Sequence, residues 1–188
     1  MEIITGNPPD NVMVIGKFES MHLGHQALIH KAKTKSTELE LPLVVMSFHP
    51  HPATVLGHVE YKPLIPREEI LGVIRETCKA DIFLEFPFTK AFAKLGIKDF
   101  CKLLFVDLKV WELFVGEDYR FGFNRCGGTN DLITEARAYG KNVTVVPFEK
   151  LDGVAVSTSK IRELVLKRRY EEAYRFLGFR PSFYNVRP

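Results

Sequence analysis

Cysteine is scarce: the 188 residues hold three, Cys78, Cys101 and Cys126, widely spaced and with no C-x-x-C pair, so neither a disulfide framework nor a zinc ribbon is encoded. No run of eighteen apolar residues occurs, which excludes a helical membrane span. The opening segment, Met1 to Pro9, has no basic stretch followed by an apolar one and so does not read as a secretory leader. Internal repeats, low-complexity tracts and linkers are missing too, and the expectation is one domain over 1–188 in a reducing, cytoplasmic setting. An excess of one charge is also lacking. Against 26 basic residues stand 23 acidic ones, for a net +3. Residues 159–188 hold eight basic and three acidic side chains, which leaves the first 158 at −2. A nucleic-acid binder shows a stronger and more clustered surplus, so no nucleic acid and no membrane are expected as partners.

What the chain does have is a globular balance, 46% hydrophobic and 26% charged, with fifteen phenylalanines among its 12% aromatic residues. Phe is usually core, but so many rings leave some to line a pocket for a flat ligand. Short apolar, β-branched-rich runs at Asn11–Gly16, Leu43–Phe48, Asp81–Phe86, Val110–Gly116 and Asn142–Phe148 read as five strands. Helical patterns alternate with them: Gly24–Lys35, Pro66–Cys78, Ile97–Phe105 and Gly128–Tyr139, followed by Thr158–Arg168 and Glu171–Leu177. This pattern predicts an α/β fold with a mainly parallel five-stranded sheet, helices on both faces, and ligands in the crevice beyond the carboxyl ends of the strands. Ala53–Pro63 and Pro87–Gly96 are candidate flaps over that crevice.

The first strand runs into Gly16, Lys17 and Phe18, and the first helix opens at Gly24 between His22 and His25. Free amides and the positive end of the helix dipole make such a turn an anion site, and Gly24 admits a close approach that a Cβ would obstruct. Histidines three residues apart at a helix start project to one side and can donate to neighbouring phosphate oxygens. The same H-x-x-H also suits two ligand-free surface histidines or a zinc site, although no carboxylate or third histidine stands nearby in sequence to complete a metal shell. At Val156–Arg162, Ser157 or Thr158 can cap a helix, and Lys160 and Arg162 oppose that helix's dipole and so call for an anion. The rigid Phe48-His49-Pro50-His51-Pro52 loop follows the second strand. Gly116 to Gly122 follows the fourth. There Asp118 suits a ribose hydroxyl or an adenine amine, Arg120 a phosphate, and Tyr119 and Phe121 a stacked ring, with a plain surface turn over core aromatics as the alternative.

Gly16-x-Phe18-Glu19-x-x-His22-Leu23-Gly24-His25 resembles the G-x-F-D-x-x-H-x-G-H signature of the nucleotidylyltransferase superfamily, and Val156 to Arg162 is similar to its second signature, I-S-S-T-x-I-R. The F-H-P-H-P and G-E-D-Y-R-F-G segments resemble the bacterial FAD synthetase branch, whose adenylyltransferase module the chain matches from about Asn11 to Leu177. The resemblance implies a Rossmann-like nucleotidylyltransferase domain that converts ATP and FMN to FAD and pyrophosphate, with Mg2+ accompanying ATP. His22, His25, Ser157 and Arg162 would be catalytic. Gly16, Lys17, Phe18, Gly24, Gly116, Asp118, Thr158 and Ser159 would bind ATP, while Phe48, His49, Pro50, His51, Pro52, Tyr119, Arg120 and Phe121 would bind FMN, and no protein-held metal is expected. Family relatives usually carry Asn-Phe-Asp-Gly where this chain has Lys17-Phe18-Glu19-Ser20, and some have a polar or basic residue at the place of Ala155. Bacterial relatives usually continue into a riboflavin kinase module, so the expectation is either a monofunctional adenylyltransferase or a fragment of a bifunctional protein. Two alternatives remain: a non-catalytic flavin or nucleotide binder, and transfer to another phosphate acceptor.

Overall fold

A computed structural model describes residues 1–57 and 62–182. Its elements in chain order are β1 (Glu2–Ile4), β2 (Asn11–Ile15), α1 (Leu23–Glu38), β3 (Leu43–His49), α2 (Pro52–Leu56), α3 (Arg67–Gly72), β4 (Ile82–Pro87), α4 (Ile97–Lys102), β5 (Val110–Gly116), α5 (Thr129–Ala138), β6 (Asn142–Val146), the short strands β7 (Lys150–Leu151) and β8 (Val154–Ala155), α6 (Thr158–Leu166) and α7 (Tyr170–Leu177). Helices α3 and α4 each run on into a π-helical turn, Val73–Thr77 and Leu103–Asp107. The six main strands form one sheet in the order β1-β4-β3-β2-β5-β6, parallel throughout. The five expected strands are all present. The sixth, β1, adds an edge beside β4, and β7 pairs with β8 as a separate antiparallel hairpin.

Strand β2 lies in the middle of the sheet and is buried along its whole length, as its unbroken apolar run requires. Val12 and Val14 face a core shared with Leu28, Ile29 and Ala32 of α1 and with Leu71 of α3. Met13 and Ile15 face the opposite core, with Phe100 of α4 and Leu132 of α5. A third cluster joins α6 and α7 to Ile65 and Leu23, so this last helical pair packs beside the start of α1. The chain proceeds from β2 outward through β3 and β4, then returns to the other side of β2 for β5. The strand order therefore reverses between β2 and β5, and the crevice at their carboxyl ends is where a sheet of this kind leaves room for a ligand.

The two candidate flaps carry more structure than the sequence suggests. Helix α2 occupies the start of the first, while residues 58–61 of that segment lie outside the described residues. In the second, Phe92–Lys94 forms a single 3-10 turn. Residues 183–188 of the basic tail also lie outside the described residues.

Candidate active site

The β2–α1 turn is tightly wound. Phe18 and Met21 both adopt left-handed backbone at φ 46°, which β-carbon-bearing residues rarely hold, and both are buried. A Cβ on Gly16 would stand 2.9 Å from the Phe18 ring, so this glycine is needed for Phe18 to fold back under the turn. Gln26 fixes the other end of the turn, its side-chain amide donating to the carbonyls of Met21 at 2.7 Å and of Leu177, the last residue of α7, at 2.8 Å.

His22 caps α1: its Nδ1 accepts from the His25 backbone N–H at 3.2 Å. That bond leaves the neutral ring's proton on Nε2. The His25 ring stacks on it, centroids 3.7 Å apart and 9° from parallel, and meets the Phe18 ring edge to face with centroids 5.3 Å apart. Burial pulls the His22 imidazole down to about 4 and holds His25 well below the ordinary histidine value, so both are uncharged N–H donors near neutral pH. The Nδ1 of His25 is buried and has no hydrogen-bond partner. A Cβ on Gly24 would come within 3.2 Å of the His22 ring, so this glycine gives room to the histidine as much as to a ligand.

The second signature segment meets the first directly. Ser157 caps α6 by accepting from the Lys160 N–H at 3.2 Å, and Thr158 shares a 2.9 Å hydroxyl–hydroxyl bond with fully buried Ser20. Glu19 ties the two segments to the loop after β3. Its Oε1 takes Lys17 at 2.9 Å and His51 Nε2 at 3.2 Å, while Arg162 lies 3.8 Å from Oε2. The hydrogen bond from His51, with help from Lys17, pulls the Glu19 carboxyl down to about 2 against its own desolvation.

These parts line one cleft of about 990 Å³ across the β2–β5 crevice. Gly16, Lys17, Phe18, His22, Gly24 and His25 from the first turn and Ser157, Thr158, Ser159 and Arg162 from α6 all border it. Gly116, Asp118, Tyr119, Arg120 and Phe121 border it from β5 and the following turn, and Phe48 and Pro52 from the loop after β3. The expected flavin loop is divided, however: His49, Pro50 and His51 line a second cavity of about 320 Å³, whose lining shares Lys17, Phe18, Glu19 and Phe48 with the main cleft. Phe121 is 5% exposed, with its ring 4.8 Å from that of Phe100, so it is largely a core residue. A reciprocal pair of backbone bonds to Gly127 pins it there.

Sequence reasoning did not single out Phe88, Phe92 and Phe100, which with Phe48 form a run of edge-on and tilted rings 5.3–6.0 Å apart along the cleft. Phe88 and Phe92 sit on the second candidate flap, and that placement was their only available signal. Ser20 and Gln26 were missed as well, because their partners are distant in sequence. Among the described residues, no group of three His, Cys, Asp or Glu side chains is placed to hold a metal ion, and no helix is long and apolar enough to cross a membrane.

A parallel sheet with a reversal of strand order, a histidine pair at the first helix start and a serine-capped second helix facing it defines a nucleotidylyltransferase-type nucleotide-binding α/β domain. The Thermus thermophilus pantothenate synthetase structure shares this fold, with a TM-score of 0.50 and 16% identity over 93% of this chain and 82% of that one. The family model for FAD synthetase matches residues 4–160, and the chain belongs to that family. It is 31% identical over 172 residues to the bifunctional riboflavin kinase/FMN adenylyltransferase of Listeria monocytogenes, covering 90% of this chain and 54% of the relative. To the FAD synthetase of the same organism it is 29% identical over 173 residues, covering 89% and 68%. A Streptococcus pneumoniae chain solved as a macrolide-efflux protein superposes with a TM-score of 0.79 at 25% identity, covering 94% of this chain and 59% of that one. The chain thus spans about half the length of the bifunctional relative.

Proposed function

We propose that this chain is a nucleotidyltransferase that transfers the adenylyl group of ATP to FMN. A phosphate oxygen of FMN attacks the α-phosphorus in line, the bond to the β-phosphate breaks, and FAD and pyrophosphate result. The observation that carries the reading is the direct joining of the two signature segments, Ser20 to Thr158, beside the stacked histidines on one wall of the cleft. FMN brings its own charged nucleophile, so the residues are needed only to position the phosphates and stabilise charge. His22 and His25 act as neutral donors toward the α- and β-phosphates, together with the amides of the Phe18–Gly24 turn. Lys17, Ser157, Thr158, Ser159 and Arg162 hold the leaving pyrophosphate, with the Arg162 fork matching two of its oxygens.

Adenosine lies along Gly116 and Asp118. The flavin lies against Phe48, Pro52, Tyr119 and Arg120, with the Phe88–Phe92 rings as further apolar wall and Phe121 supporting from the core. His49, Pro50 and His51 reach the flavin side from the adjoining cavity. Magnesium enters on the triphosphate and shields its charge.

The test is to incubate the purified chain with ATP, magnesium and FMN, with riboflavin in a parallel tube, and to resolve the flavins chromatographically. FAD formed from FMN but not from riboflavin supports the reading, because only FMN carries the attacking phosphate. No FAD, with FMN still tightly bound, favours a non-catalytic flavin binder, the reading that the Lys17-Phe18-Glu19-Ser20 departure supports. In the same assay His25→Ala should fold, by circular dichroism, and lose on the order of 10²–10³ in rate.

A further inference from the structure

The node around Glu19 joins one recessed carboxylate to two more exposed cations, all three on the lining of the cleft. The Glu19 side chain is 13% exposed, whereas those of Lys17 and Arg162, on the cleft wall, are 55% and 39% exposed. Two cations are thus held by one carboxylate, and the Arg162 guanidinium is steadied further by the Lys62 carbonyl at 3.4 Å. The other cation at the α6 start, Lys160, is engaged by Glu163 at 3.2 Å. From this arrangement we propose that Glu19 is a built-in counter-anion: it holds Lys17 and Arg162 in the ligand-free cleft and competes with an incoming polyphosphate for both.

The inference rests on the polyphosphate placement given above and adds a role for a residue which that reading leaves idle. Lys17, Arg162, two neutral histidines and the amides of two helix starts would, by themselves, grip any small polyanion, including the pyrophosphate that must leave. A fixed carboxylate among them lowers that grip through like-charge repulsion and by keeping both cations partnered when the site empties. The consequence is greatest for pyrophosphate, which has no adenosine or flavin contacts to retain it once that grip is lowered. Glu19 is therefore a positioning residue that sets how readily the product departs.

The experiment is calorimetric titration of the full chain with pyrophosphate in magnesium-containing buffer at fixed low salt. Glu19→Gln should bind about tenfold more tightly than the unaltered chain, the size expected when one partly exposed like charge is removed beside the ligand. Its affinity should also fall more steeply as salt is raised. Unchanged or weaker binding would overturn the proposal, and weaker binding is what a purely structural role for Glu19 would give. A second measurement needs no variant. In the chain labelled with carbon-13 at glutamate carboxyls, the Glu19 resonance should move when pyrophosphate is added, as its cations are drawn away. A resonance that stays in place counts against competition. Tightened pyrophosphate binding without FAD formation would leave the counter-anion standing and remove adenylyl transfer; FAD formation without tightening would do the reverse.

Discussion

His22 shows how one residue links folding to acidity. In the unfolded chain its imidazole takes up a proton near 6.5, but in the folded chain only near 4, because burial disfavours the charged ring. Between those values the unfolded state binds more protons. Stability is therefore complete above about pH 6.5 and declines as the pH falls toward 4, by roughly 3 kcal/mol for this group. Glu19 acts in the next window: its folded value near 2 lies below the ordinary 4.5, so its contribution is lost as the pH falls from 4.5. Urea unfolding of the ligand-free chain between pH 7.5 and 4 should show the first decline, and His22→Asn, which keeps a capping side chain, should make it shallower, leaving the share that buried His25 contributes in the same window. Parallel curves for the two proteins would contradict the assignment. At Gly16 the constraint is steric. Gly16→Ala places a methyl 2.9 Å from the Phe18 ring and should destabilise by about 1–3 kcal/mol, with loss of activity as Phe18 shifts the turn. Equilibrium unfolding together with the FAD assay checks both effects.

Among elements, the central strands were legible from their short apolar runs, and α5, α6 and α7 from the apolar face that each of them buries. Strand β1 was not, since three residues at a sheet edge carry no usable periodicity, and neither were β7 and β8, at two residues each. The two halves of the candidate site were legible as glycine-bearing or serine-capped helix starts. Their joining was not, because Ser20 and Thr158 are 138 residues apart and nothing local predicts their bond. The left-handed Phe18 and Met21 were hidden for a related reason: tertiary packing imposes a conformation that their own propensities oppose. A double-mutant cycle with Ser20→Ala and Thr158→Val should return a coupling of about 0.5–1.5 kcal/mol, whereas additive effects would mean that the β2–α1 turn and α6 are independent. Helix α3 offers a contrast. Its Gly72 has helical backbone and open space around the position of a Cβ, so Gly72→Ala should stabilise the chain by about 0.5–1 kcal/mol in the same unfolding assay.

At the scale of the whole molecule, a ligand bound across the β2–β5 crevice touches segments from the first turn to α6 and should stabilise them together. With MgATP at a hundredfold excess over its dissociation constant, stabilisation of about 2.7 kcal/mol is expected, a rise in melting temperature of roughly 5–10 °C for a chain of this size. A melting temperature that does not respond would remove ATP from the cleft. The Gln26 side chain sets a condition of another kind. It joins the carbonyl of Met21, in the first turn, to that of Leu177, which lies 151 residues beyond Gln26 in the chain. During synthesis the last sheet strand, β6, emerges before α7 does, and the strained first turn lacks its distal anchor until α7 follows. The nascent chain therefore passes through a stage in which the sheet is built and the β2–α1 turn still waits for α7 to anchor it.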